Sequence, residues 1–393
     1  MPIFAGIGTS NIKDSYQAGK DAAQKALTEM GCSHPDFVLV FSTDGLDQKE
    51  MIEGIRVITG KASLIGCCRA GVISKEGLFT DSIVVLALRS DVLQISTGMV
   101  NDISQNPRLA GEKVAKAVLD KEPAKGYKYP PTLIMLPDGL TCNVCELVRG
   151  VYENLGPAYQ LVGGGAGDNV RFIKTYQFID DKVYHDAISF ALITSKAPIG
   201  IGIGHGWSPV GRPLVVTKSE GNIIREIEGR PAFEAYLDYF GEVAPKLTPE
   251  NFPEFGMKHP LGLPDITGAY TIRDPLKVEE DGSILCVAEV PESSVVRIMK
   301  GDNKSVIQAA KESAQKAVNS IGKKKPGLAL VFDCVSRLLL LGKDAQRELD
   351  VIRDVIGKDV PLIGFFTFGE IGSANGGPPV FHNKTIAVCV VSG

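Results

Sequence analysis

LIGCCRAG (64–71), LVGGGAGD (161–168) and LIGFFTFGE (362–370) each begin as an apolar run and end among glycines. A short apolar run reads as a buried strand, and the glycines mark a tip where the backbone turns or lets another segment come close. Ahead of each lies a second apolar run: LVFSTDG (39–45), LIMLPDG (133–139) and LVFDC (330–334). Two kinds of strand recurring three times in one order are the mark of an internal repeat.

Working outward, the first unit (1–90) reads as a strand at 4–11, helices at 14–31 and 46–60 around a strand at 37–45, a strand with its tip at 63–72, and a closing strand at 82–88. The second unit (91–196) repeats this with strands at 92–100, 132–139, 160–169 and 187–194 and helices at 109–120 and 142–155. The third unit (284–393) is expected to open with ILCVAEV (284–290). Helices follow at 305–322 and 343–357, with strands at 328–334, 361–372 and 384–391. The strands are apolar almost throughout, which suits sheets covered on both faces. The prediction is a layered α/β fold of three related strand-helix-strand-helix-strand-strand units, with an insertion between the second and third. That insertion (198–280) holds GIGIGHGW (200–207), the strand-like PLVVTKS (213–219), and the helix PAFEAYLDYFG (231–241) with Pro231 in its first turn.

With 393 residues, 44% of them hydrophobic and 22% charged, the chain has the size of two or three domains. Its net charge of −4 gives no general attraction to nucleic-acid phosphates. The start, MPIFAG, lacks the basic and apolar regions of a signal peptide, and no apolar stretch approaches the ~20 residues that span a bilayer. A cytoplasmic protein without a nucleic-acid or membrane partner is expected. Cys142 and Cys145 form a lone Cys-x-x-Cys without the second pair that a structural zinc site needs, so no metal is expected.

The tips hold the candidate ligand contacts. Arg69 is suited to a two-pronged grip on a carboxylate, or to a surface turn. Cys67 reads as a packed small hydrophobe or, in an enzyme, a nucleophile. Gly164 and Gly165 could cradle a polar ligand or admit a neighbouring backbone. Asp168 could take an amine or cap a turn. Phe366 and Phe368 share one strand face, as a ligand wall or as core, and Thr367 and Glu370 add polar contacts. His205, within Gly-His-Gly-Trp beside the single tryptophan Trp207, is open to a ligand or a heme iron, or is a hydrogen-bonded structural histidine. No phosphate-binding loop, dinucleotide fingerprint, nucleophile elbow or His-Glu-x-x-His motif occurs, so no catalytic residue is assigned.

At these residues the sequence resembles the FIST family of intracellular sensory domains. The matching features are Gly66-Cys67 with Ala70-Gly71, Gly163 to Asp168, His205-Gly206-Trp207, Val216-Thr217, Gly221-Asn222 and Pro231-Ala232. In the C-terminal half they are Ile272-Arg273, Asp281-Gly282, Met299 with Gly301-Asp302, Phe332-Asp333-Cys334 with Arg337, Gly364 to Glu370, and Asn383 with Thr385. The resemblance implies an N-terminal FIST domain over 1–220, a C-terminal one over 221–393, and a sensor for amino acids or similar small polar metabolites. In that reading Arg69, Arg337 and Glu370 anchor charged groups, while Gly164, Gly165 and Phe366 shape the pocket. Some relatives bind heme and report nitric oxide to a histidine kinase. The sequence carries no kinase, cyclase, methyl-accepting or F-box segment, so a separate signalling partner such as a histidine kinase is expected. No cofactor is predicted. A heme held by His205, an α/β enzyme and a homo-oligomer remain as alternatives.

Overall fold

The computed structural model describes residues 3–122, 127–141, 143–241, 247–265, 268–373 and 376–393; Cys142 of the Cys-x-x-Cys pair lies outside them. The first unit comprises β1 (Ile3–Ser10), α1 (Ser15–Met30), β2 (Phe37–Thr43), α2 (Gln48–Thr59), β3 (Ser63–Arg69), β4 (Val72–Ser74), β5 (Gly77–Phe79) and β6 (Ile83–Ser90). The second comprises β7 (Leu93–Asn101), α3 (Pro107–Lys121), β8 (Thr132–Pro137), α4 (Val144–Leu155), β9 (Gln160–Gly164), β10 (Gln177–Ile179), β11 (Lys182–Tyr184) and β12 (Ala187–Ser195).

The third unit opens with β13 (Ile199–Gly204), then gives way to an inserted region. This holds β14 (Ser208–Glu220), β15 (Ile223–Ile227), β16 (Arg230–Pro231), α5 (Ala232–Phe240), α6 (Phe252–Lys258), β17 (Leu261–Pro264), β18 (Tyr270–Arg273), β19 (Pro275–Val278), β20 (Ile284–Cys286) and β21 (Val295–Lys300). The unit resumes with α7 (Asn303–Ser320), β22 (Pro326–Cys334), α8 (Val335–Leu341), α9 (Ala345–Ile356), β23 (Leu362–Thr367), β24 (Glu370–Gly372), β25 (Val380–His382) and β26 (Ile386–Ser392).

The expected α/β repeat is present, with one correction. The insertion falls inside the third unit, after its first strand, and not between units. Ile284–Cys286 pairs with β15 and β19 in the inserted sheet, so it does not open the third unit. The opening strand is β13, antiparallel to β26 as β1 is to β6 and β7 to β12. Glycine is the physical link: a Cβ on Gly6 would lie 2.1 Å from the Ala26 carbonyl of α1, and one on Gly202 would lie 2.0 Å from the Ser313 carbonyl of α7. In both units alternate glycines face one side of the strand and let the first helix lie directly on the backbone.

The three sheets share one order. β1-β6-β2-β3, β7-β12-β8-β9 and β13-β26-β22-β23 each place the parallel pair at one edge. That edge is closed by a hairpin from another unit. β10–β11 joins the first sheet, β24–β25 the second and β4–β5 the third, so every unit lends its hairpin in a closed cycle. The exchange leaves no parallel edge strand unpaired, which removes a site of adventitious strand addition.

Strand side chains alternate between two environments. Leu39 and Phe41, Ile134 and Leu136, and Leu330 and Phe332 meet in one core between the three sheets. Their neighbours Val38 and Val40 pack against α1 and α2, and Ala329 and Val331 against α7 and α9. Burial on both faces is why these strands read as continuous apolar runs. The inserted sheet runs β18-β17-β21-β14-β15-β20-β19, with β16 beside β15, and packs α5 and α6 over its own core. Among the described residues no helix is long and apolar enough to cross a membrane.

Candidate functional site

The three tips converge. Main-chain hydrogen bonds join the third and second tips, with Gly165 donating to the Gly369 carbonyl at 2.8 Å and accepting from the Phe368 N–H at 3.0 Å. Gly167 donates to the Cys68 carbonyl of the first tip, and Phe366 to the Gly71 carbonyl. The glycines therefore serve close backbone approach: a Cβ on Gly164 would lie 2.5 Å from Thr367 Cγ2, and one on Gly167 2.8 Å from the Phe368 ring. Phe366 is buried in the outer core of the third unit.

Arg69 is fully buried, its guanidinium carbon 4.3 Å from the Phe41 ring and 4.1 Å from the Phe365 ring. It donates to the carbonyls of Ser42 and Cys67, and among the described residues its Nη1 has no hydrogen-bond partner. Burial pulls its pKa down to about 10. Burial likewise pushes the Cys67 thiol up to about 11, against the pull of Arg69, so it is a neutral thiol at physiological pH. Asp168 is buried and accepts from four successive backbone N–H groups, those of Arg171, Phe172, Ile173 and Lys174, which fixes the loop that follows it.

Arg337 and His205 gather beside Thr367 and Glu370 of the third tip, where the third unit meets the inserted region. Arg337, fully buried on α8, pairs with Glu348 and with Asp333, the latter at 3.1 Å. It also donates to the carbonyls of His205 (2.6 Å), Lys384 (3.2 Å) and Val306 (3.0 Å). These acceptors tie β13, α7, α9 and the start of β26 to one side chain. Lys384 bridges to the insertion through Asp274 at 2.9 Å, and Asp274 also accepts from Ser336. Glu370 accepts from the Thr367 hydroxyl and from both the N–H and the hydroxyl of Thr385.

Against this network lies a half-open cavity of about 350 Å³, within the range of small-molecule sites. Gly204 to Ser208 form its floor, Tyr270 of the insertion one wall, and His382 with Thr385 its inner end. The facing wall is α7 through Ser305, Gln308, Ala309, Glu312, Ser313 and Lys316. That spacing of three and four is one helical stripe. His205 Nδ1 accepts from the Trp207 N–H at 2.9 Å, and its ring also bonds the Tyr270 backbone. Burial, with Arg337 and Lys316 nearby, pushes its pKa down to about 4, and burial takes that of His382 to about 3. Both imidazoles are neutral at physiological pH.

Of the residues singled out in the sequence, His205 lines this cavity, and Arg337, Thr367 and Glu370 lie behind it. The first two tips supply none of its lining. His382, Thr385 and the α7 stripe had not been singled out as contacts. The polar stripe was the available signal: Ser305, Gln308, Glu312, Ser313 and Lys316 recur on one face of a helix whose buried face is marked by its alanines. Among the described residues no group of three or more His, Cys, Asp or Glu is placed to hold a metal ion.

Glu370 makes the network sensitive to pH. Burial raises its pKa to about 7, although its hydrogen bonds to Thr367 and Thr385 pull the other way. Between about pH 4.5 and 7 the folded chain holds a proton there that the unfolded chain releases, so this group's stabilising contribution is present at low pH and is lost as pH rises to about 7. His205 and His382 act in the opposite sense, losing stability as pH falls below about 6.5. Their contribution is common to wild type and Glu370→Gln. The stability of Glu370→Gln minus that of wild type should therefore climb with pH from about 4.5 to 7 and then level off, as read by urea unfolding at a series of pH values. A flat difference would contradict the placement of Glu370.

The chain is 25% identical over 390 residues to an uncharacterised protein of Methanocaldococcus jannaschii, covering 91% of this chain and 74% of that one. An uncharacterised protein of Mycobacterium tuberculosis is 24% identical over 388 residues, covering 94% of this chain and 95% of that one. A third, from Mycobacterium bovis, is 24% identical over 390 residues and 94% of each chain. The FIST N domain matches residues 5–230 and the FIST C domain residues 232–373. FIST domains are associated with sensing in signal transduction. Matched by both domains in order over nearly its whole length, the chain belongs to the FIST family.

Proposed function

We propose that this protein is a sensor whose small polar ligand binds in the cavity between the third unit and the inserted region. The observation that carries the reading is the cavity's construction: α7, β13 and the start of β26 form one side, and Tyr270 of the insertion another. A ligand touching both sides favours one arrangement of them, to the extent that it binds that arrangement more tightly. Glu312 and Lys316, exposed at the mouth and of opposite charge, suit a ligand carrying both signs, such as an amino acid or a similar metabolite. A separate signalling protein, of which a histidine kinase is one type, would read the arrangement in the cytoplasm.

The same lining favours a small polar ligand over heme. His205 is engaged by the backbone of Trp207 and Tyr270, so an iron ligand would have to break one of these bonds. The helical wall is also polar where a porphyrin face calls for apolar contact. The proposal assigns no catalysis, and the buried neutral thiol of Cys67 supports leaving it out of any nucleophilic role.

Native mass spectrometry of freshly purified protein, with an absorbance spectrum of the same sample, tests the reading. The expected result is a bound mass of metabolite size and no Soret band. A Soret band that disappears in His205→Ala would transfer the assignment to heme.

A further inference from the structure

At the inner end of the cavity His382 and Thr385 offer acceptors, while on the floor the buried indole N–H of Trp207 is, among the described residues, a donor without a hydrogen-bond partner. His382 is 2% exposed, and its Nε2 lies 3.1 Å from the Gly372 carbonyl. A carbonyl only accepts, so Nε2 carries the hydrogen and Nδ1 is left as a lone pair. Among the described residues that Nδ1 has no hydrogen-bond partner, although it is buried and its residue borders the cavity. Thr385, next along the same wall, gives its hydroxyl hydrogen to Glu370 when that carboxyl is ionised, and its oxygen then also faces its surroundings as an acceptor. His205 has no free donor, because its ring is held by the Trp207 N–H and the Tyr270 backbone. A buried acceptor with no partner carries a desolvation penalty, and sites built this way discriminate strongly against molecules that cannot supply the missing hydrogen.

We infer that His382 sets the ligand class: the molecule enters with a nitrogen hydrogen-bond donor foremost, a primary ammonium or an amide, and that N–H is accepted by His382 Nδ1. This rests on the sensor reading of the cavity. A carboxylate or phosphate placed against His382 and Thr385 would face their lone pairs, which disfavours it at that end. Among the described residues Lys316 is the one cationic side chain of the lining, and it stands at the mouth, where it suits an anionic outer end. The low proton affinity of both imidazoles keeps the inner end an acceptor through the physiological range.

The test is ligand-observed NMR on the full chain, with matched pairs of compounds of up to about 15 heavy atoms, a size suited to such a cavity. Each pair sets a primary amine or amide against the analogue in which nitrogen is replaced by a methyl-bearing carbon. The nitrogen member is expected to bind about tenfold more tightly or better, the worth of one buried hydrogen bond. His382→Leu should erase that preference, and His382→Asn, which keeps an acceptor, should restore part of it. In unaltered protein the ¹⁵N signal of His382 Nδ1 should shift when the amine or the amide member binds, and which of the two does so distinguishes ammonium from amide. Equal binding of both members, or an unmoved Nδ1 signal, would overturn this inference and leave the sensor reading standing. Absence of any binder in the set would overturn both.

Discussion

Replacing Arg337 with alanine should lower stability by about 3–5 kcal/mol, the largest loss expected from any single charge in the protein, because the change strands buried partners of opposite charge. Asp333 and Glu348 would be left buried with no cation between them. Burial, and after it repulsion from Glu348, already push the Asp333 carboxyl well above its ordinary range against the pull of Arg337. The carbonyls of His205, Val306 and Lys384 would lose their donor at the same time. Urea unfolding reads the loss as a lower midpoint with little change in slope. Arg337→Lys should fall between, since an ammonium keeps the charge but cannot reach so many acceptors at once. A loss below about 1 kcal/mol, the worth of an exposed pair, would contradict the buried network.

The second large effect is expected at Gly202. Its added Cβ would meet the Ser313 carbonyl at 2.0 Å, so Gly202→Val must push α7 off the strand. The backbone of a helix cannot yield as a side-chain end would, and the cost is expected to reach about 3 kcal/mol, the upper end for overpacking. Ser313 also lines the cavity, so ligand binding should weaken along with stability. Gly45, where an added Cβ meets nothing within 4 Å, provides the control: Gly45→Ala should change stability by about 0.5 kcal/mol at most, as surface substitutions do.

Gly202 also shows where sequence reading succeeded and where it stopped. The repeat was legible because its strands are buried on both faces, so LVFSTDG, LIMLPDG and LVFDC stand out as apolar runs wherever they occur. The first strand of the third unit was not, because alternate glycines make Ile199–Gly204 look like a loop, while the apolar ILCVAEV looks like a strand. The cue was available in Gly6 and Gly8, which give the first unit's opening strand the same Gly-Ile-Gly signature as Gly200 to Gly204. Exchange of the hairpins lay beyond reach. β4, β10 and β24 are three residues each, too short to carry a pattern, and their partners stand far away in the chain.

The site was half legible for a related reason. His205 and Glu370 drew attention through their glycine-rich surroundings, whereas His382 sits in a short strand lent to another sheet and acquires meaning only from what it lacks in three dimensions. Arg69 marks the opposite case. An arginine on a glycine-rich tip suggests a ligand grip, and the fold instead encloses it between two phenyl rings. Nothing in the spacing of residues distinguishes those outcomes, because the second ring, Phe365, arrives from the third unit.

The most direct test of the cavity as a ligand site compares wild type with Ala309→Phe, which fills the cavity from the α7 wall at a residue already buried there. Each protein would be purified in parallel and unfolded, and the small molecules released would be measured by mass spectrometry. The account predicts a metabolite released in molar proportion by wild type and absent from a folded Ala309→Phe. Equal release from both proteins would place the ligand elsewhere, and release from neither would contradict the claim that this cavity is a binding site.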